Sequence, residues 1–222
     1  MKPYQRIIAL TLALIVVLPI SFLAANWQLS RHQEREERNQ LILDARVAEP
    51  RDVQEFKGES PSEYTPVRIS GVANDENGLW RRQILNGMPG FTVLQNFLLE
   101  DGSTVTVALG WSQTPEIATD LLTLEQPFVA YVRYPTARGT SPTDVPSGQF
   151  NYVSELMSDD FLFYAQLKNA PDNLKTIGLP EVEAGPHLGY VGQWILIGIT
   201  FFVLYVLALR RIRENHAKEI KS

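Results

Sequence analysis

Cysteine does not occur in this chain of 222 residues. That excludes disulfides, thiolate nucleophiles, Cys-ligated zinc and iron–sulfur clusters, and a copper chaperone built on Cys-x-x-x-Cys. Histidine is almost as scarce, with three residues, His32, His187 and His216. None of them falls in the central part that reads as strands, so a Ser-His-Asp triad has no base there. G-x-S-x-G, H-E-x-x-H, a P-loop and G-x-G-x-x-G are all missing. Adjacent acids such as Asp159-Asp160 read as solvated loop residues. The expectation is a protein that is not an enzyme.

A positive surplus is lacking too. The formal net charge is −5, from 20 basic and 25 acidic residues. Seven of the basic and two of the acidic residues lie in segments 1–6 and 210–222, which leaves 13 basic and 23 acidic between them, a net of −10. Nucleic-acid phosphates require a basic surface, so nucleic acid is excluded as a partner.

Long apolar runs, by contrast, are present twice. No charge separates Arg6 from Arg31, and the core Ile7–Ala25 would form a helix of roughly 28 Å, close to the thickness of a bilayer core. The run Leu188–Leu209 reaches roughly 33 Å as a helix, enough to span with some tilt. Pro19 is tolerable within a span. A cleaved signal peptide ending near Leu23-Ala24-Ala25 is the competing reading. The run exceeds the ~7–15 residues of a signal core, which favours a retained anchor.

Basic residues flank both spans on their outer sequence ends, and the positive-inside rule then places both termini in the cytoplasm. The middle would lie in the periplasm of a bacterium, with Trp27 and Tyr190 at the interface. The chain divides into an N-terminal transmembrane helix (1–26), a charged helix and linker (27–50), a periplasmic β-rich domain (51–186), a C-terminal transmembrane helix (187–209) and a basic cytoplasmic tail (210–222). A tail that short leaves no room for a signalling domain, which argues against a sensor.

Residues 27–48 read as a helix continuing from the first span, with Glu34 and Arg38 spaced to pair. From Tyr64 the pattern becomes that of strands: Tyr64–Ala73, Leu79–Leu85, Phe91–Leu99, Ser103–Trp111, Pro127–Pro135 and Asp160–Leu167. Turns are expected at Asn74–Gly78, Asn86–Gly90 and Glu100–Gly102, a short helix at Thr114–Leu124 capped by Thr114, and a surface loop at Thr136–Asp144. The fold class is membrane α+β: two transmembrane helices bracketing an antiparallel β-rich domain, a sandwich or partly closed barrel.

His187, Tyr190, Val191 and Trp194 form one stripe of a helix by their i, i+3, i+4, i+7 spacing. Two readings stand side by side. His187 is an interfacial cap with Tyr190 and Trp194 as belt aromatics, or it is an axial ligand to haem iron with those rings as flat surface for the porphyrin. Gly185, Gly189 and Gly192 keep the helix surface thin nearby.

Four segments in order resemble a known family. They are Trp27, Gln28 and Arg31 in "ANWQLSR"; Tyr64, Pro66, Val67 and Gly71; Pro89, Gly90, Phe91, Val93, Asp101, Gly102, Gly110 and Trp111; and His187, Leu188, Tyr190 and Trp194. Together with the two spans they resemble the Surfeit locus (Surf/Shy) family of cytochrome c oxidase assembly proteins, as a divergent bacterial member. Three departures stand out: Ala25 for a glycine, Leu109 for an arginine, and Gly185-Pro186 for Asn-Asn.

The resemblance implies an inner-membrane assembly factor for haem-copper oxidase. It would bind haem a and aid its insertion into the catalytic subunit, with haem a synthase as a further partner. It favours His187 as the iron ligand, with Tyr190 and Trp194 beside it. For Trp27, Gln28 and Arg31 two readings remain equal: a membrane belt with a snorkelling cation, or a second face of the haem site with Arg31 pairing a propionate. Arg68, Phe91 and Trp111 read as structural. The rival function is a haem-independent scaffold that stabilises oxidase subunits.

Overall fold

The structure is a computed structural model that describes residues 3–74, 79–114, 126–136 and 149–219. The turn expected at Asn74–Gly78, the helix at Thr114–Leu124 and the loop at Thr136–Asp144 lie, beyond their first residues, outside these. The chain forms two compact units, a helical one (Met1–Asn39 with Glu183–Ser222) and a β unit (Gln40–Val182).

The helical unit holds most of α1 (Pro3–Val47) and all of α2 (His187–Glu219). Both are long and apolar enough to cross a membrane. Ile8, Leu12, Ile15 and Phe22 on α1, and Leu196, Ile199, Phe202 and Leu204 on α2, are exposed. Large side chains of this kind standing free all round a helix pair call for lipid as solvent. The helices run antiparallel, since contacts climb one as they descend the other. Thr11 Oγ1 meets the Tyr205 hydroxyl at 3.0 Å, Gly198 packs on Ser21, and Gln28 meets His187. On α1 the less exposed residues Thr11, Leu14, Leu18, Ser21, Ala25 and Gln28 alternate three and four apart, the seam of a coiled-coil-like pair.

In the β unit the last turns of α1 bury Ile42 and Ala45 against Tyr64 and Tyr131. Pro50 then disfavours helix at the residue before it. Asp52 ends the two-residue strand β1 (Arg51–Asp52) and caps a 3₁₀ turn, Val53–Phe56, in a capping box with Glu55. Val53 and Phe56 enter the core.

The sheet comprises β1, β2 (Pro66–Ile69), β3 (Gly71–Ala73), β4 (Leu79–Leu85), β5 (Met88–Leu99), β6 (Thr104–Ser112), β7 (Phe128–Arg133) and β8 (Tyr164–Leu167). Its order is β1-β2-β7-β8-β6-β5-β3, with β4 also paired to β5. Two membrane-length helices therefore bracket a β-rich domain, as expected. Two details differ from the sequence reading. The sheet is mixed, since β1 pairs with β2 and β6 with β8 in parallel. The run Tyr64–Ala73 is two strands, β2 next to one end of the sheet path and β3 at the other, joined through Ser70 alone. The ends of the path thus meet at a corner, although no ladder joins β2 to β3 and the sheet is not closed into a barrel.

Asn86 and Gly87 form the two-residue turn of the β4–β5 hairpin, both with positive φ (51° and 78°), the geometry that Asn-Gly favours. Met88–Gly90, expected as turn, belongs to β5. Side chains alternate into one core: Val67 and Ile69 of β2, Val105 and Val107 of β6, Phe128, Ala130 and Val132 of β7, Ala165 and Leu167 of β8.

The family-like residues of this unit serve packing. Trp111 is 1% exposed, and its Nε1–H donates to the Gln83 carbonyl at 3.0 Å. Gly90 is required beneath it, because a Cβ there would lie 2.3 Å from the ring. Leu109, where the resemblance has arginine, is the extra residue of a β-bulge. Val93 faces Gly110 and Leu94 faces Ala108, which leaves Leu109 unpaired and fully buried in the core. An arginine there would need a buried partner; leucine adds apolar packing instead.

At the β5–β6 turn both the hydroxyl and the N–H of Ser103 donate to Asp101 (2.5 and 2.9 Å), and Lys57 Nζ lies 3.2 Å away. The Ser103 bonds first, then Lys57, hold the Asp101 carboxyl at about 2, below its ordinary 3.8. A depressed acid contributes stability above its unfolded pKa and loses it as pH falls through the folded one. Thermal midpoints should therefore decline between pH 3.8 and about 2, and Asp101→Asn should flatten that part of the profile. An unchanged profile in the variant would show that the carboxylate contributes nothing to folding.

Candidate functional site

His187 is the first residue of α2, where the chain turns into the helix with Tyr190 N–H donating to the Pro186 carbonyl at 3.3 Å. Its half-buried imidazole faces α1, and Nδ1 lies 2.8 Å from Gln28 Oε1. An amide oxygen only accepts, so Nδ1–H donates and the proton sits on Nδ1. In the neutral imidazole that arrangement leaves the lone pair on Nε2. Orientation of a histidine through its other nitrogen is how metal-binding imidazoles are prepared.

Around His187 lies an open cleft of about 520 Å³, lined by Trp27, Arg31, Glu34, Arg35, Arg38 and His187. Trp27 is 55% exposed, with the Arg31 guanidinium 5.9 Å from its ring centre. Arg31 pairs with Glu34 at 2.7 Å, in place of the pair expected between Glu34 and Arg38. Exposed pairs of this kind are weak, and Arg31 remains available to another anion. Arg35 meets Glu183 Oε2 at 3.2 Å, and Asn39 Nδ2 donates to the Glu183 carbonyl at 3.0 Å, which ties the residues before α2 to α1. Arg38 makes no ion pair or hydrogen bond among the described residues.

Of the six residues nominated from sequence, four meet here: His187, Gln28, Trp27 and Arg31. Tyr190 and Trp194 do not line the cleft. Tyr190 is 47% exposed, while Trp194 is half-buried two turns along α2, about 10.5 Å from His187 along the axis. Arg35 and Arg38 were not nominated. For Arg38 the signal is periodicity: Trp27, Arg31, Glu34 and Arg38 fall at i, i+4, i+7 and i+11, one face of a continuous helix.

Chemically, the cleft offers one imidazole, one aromatic face and three guanidinium groups, of which Arg31 is paired with Glu34 of the cleft and Arg35 with Glu183. This set suits a planar, anionic, metal-bearing group held by a single protein ligand. Among the described residues no cluster of three or more His, Asp or Glu could hold a bare metal ion.

Comparison with known proteins agrees with the architecture. The pattern that defines the SURF1 family matches residues 15–199, from the first span into the second. SURF1-like proteins of Mycobacterium bovis and of two Mycobacterium tuberculosis strains are 25% identical over 217 residues, covering 86% of this chain and 79% of each relative. With the match running through α1, the β unit and the head of α2, the chain belongs to the SURF1 family, known generally as cytochrome oxidase assembly factors.

Proposed function

We propose that the protein holds haem a, as cargo rather than as a resident cofactor, at the His187 cleft and passes it to the catalytic subunit of a haem-copper cytochrome c oxidase. One observation carries this reading: the His187–Gln28 hydrogen bond at 2.8 Å, which leaves Nε2 free beside a cleft with an aromatic wall and three arginines. Haem iron takes an axial imidazole nitrogen, and arginine forks match the carboxylates of propionates. The role requires holding and release, with no bond of a substrate made or broken, so the protein acts as a binding chaperone. Haem a synthase is the donor that this role calls for.

In this reading the protein sits in the bacterial inner membrane with both termini in the cytoplasm and the β unit in the periplasm. The basic flanks of both spans support that orientation. Reporter fusions at residue 100 and at the C-terminus should report opposite sides; the same side for both would refute it.

The protein purified from cells that make haem a should show a Soret band, and deletion of its gene should lower active haem-copper oxidase while subunit synthesis continues. Normal oxidase activity without a compensating paralogue would overturn the reading. A haem-independent scaffold is the second reading. It is favoured by the groove along α2 lined by Gly189, Gly192, Gln193, Leu196, Thr200 and Phe201, which would admit another helix. That reading predicts the same deletion phenotype with no Soret band.

A further inference from the structure

A second cavity, of about 280 Å³, lies within the β unit. It sits against the sheet face opposite the main core, where Leu94, Ala108, Val153 and Tyr164 form a separate cluster. These four residues line its apolar side, while Arg81, Gln83, Thr92, Arg133 and Gln166 make its polar side. Among the described residues no Asp or Glu lines it.

The two arginines are poorly satisfied. Arg81 Nε and Arg133 Nε are both buried without a hydrogen bond. Among the described residues Arg81 reaches only Gln83 Oε1, at 3.4 Å, a neutral acceptor already taken by the Thr92 hydroxyl. Arg133 Nε lies 3.3 Å from Glu63 Oε1 and over the Tyr64 ring at 4.8 Å, but its N–H is not directed at the carboxylate. Arginine cannot shed its proton, and a buried N–H without an acceptor is costly. An anion between the arginines removes that cost.

We infer that this cavity binds the oxyanion group, carboxylate or phosphate, of a small ligand with a short apolar part, anchored by Arg81 and Arg133. The volume falls just below the ~300–1,000 Å³ of drug-sized sites, so the ligand is small. Leu94, Ala108 and Val153 receive its apolar end.

The test uses the full chain in detergent, with acetate, butyrate and inorganic phosphate as separate probes at constant ionic strength in chloride. At least one probe should raise the unfolding temperature saturably. Butyrate acting above acetate identifies a carboxylate with an apolar tail, and phosphate acting alone identifies a phosphate. Arg81→Met should weaken the effective probe about tenfold or more, the loss of a charge-assisted hydrogen bond. It should also raise the midpoint without probe, because a buried N–H without an acceptor is removed. Arg81→Lys keeps the charge without the fork and gives the affinity test should the methionine variant misfold. No saturable shift in the parent, or parental affinity in the variant that folds, overturns the inference.

Discussion

His187→Ala should reach the membrane at the parental level and lose most of its haem, with a shifted spectrum in the remainder. The substitution removes the one imidazole in the cleft. Alanine is the better helix former and leaves the apolar run Leu188–Leu209 intact, so insertion should survive. Gln28 loses its partner, but it stands half-exposed beside an open cleft, where water can replace the bond. Gln28→Ala should keep the ligand and lose the preferred tautomer, weakening haem by about 10–100-fold, the usual range for such supporting groups. Trp194→Ala should cost less than either, because Trp194 lies outside the cleft. His216→Ala, in the basic tail, serves as the control. Haem per protein, read from the Soret band of each purified variant, decides. Parental haem in His187→Ala would show that the histidine only joins the helices and that any ligand lies elsewhere.

Trp111→Ala should lower the stability of the β unit by about 3–5 kcal/mol, the range for large buried aromatics. That is a large share of the roughly 5–15 kcal/mol that holds typical domains together. The ring is 1% exposed, bonded to the Gln83 carbonyl and approached by Lys175 Nζ at 5.5 Å. Its removal opens a cavity and takes a donor from that carbonyl. Gly90→Ala attacks the same contact from the other side, placing a Cβ 2.3 Å from the ring and 2.4 Å from the Ser112 carbonyl oxygen. The double variant should lose less than the two single losses combined, since the ring clash vanishes with the ring. Thermal unfolding followed by circular dichroism measures all three. A parental midpoint for Trp111→Ala would contradict the packing role assigned here.

Several parts of this protein are legible in its sequence. The β4–β5–β6 hairpins follow from Asn86-Gly87 and Gly102, which supply positive φ at the turns, and from alternation that survives into the core. The break at Ser70 was hidden because alternation continues across it. Hydrophobic pattern reports which face a residue turns inward, and carries no record of which strand it bonds. Partners change there, from β7 for β2 to β5 for β3. The parallel pairing of β8 with β6 was hidden for the same reason.

The candidate site divides along the same line. Sequence alone determined two helices able to cross a membrane, a β-rich domain between them, and, with the family resemblance, the nomination of His187, Tyr190, Trp194, Trp27, Gln28 and Arg31. Uninterrupted apolar length, turn chemistry and helical spacing are local properties that one segment expresses by itself. Tertiary structure decided the rest: that Gln28 holds His187 across 159 residues of sequence, that Tyr190 and Trp194 stand apart from the cleft, and that Arg81 and Arg133 share a cavity. Those relations depend on the register between elements distant in the chain. Register is set by the fit of whole surfaces, and no single stretch of residues contains it.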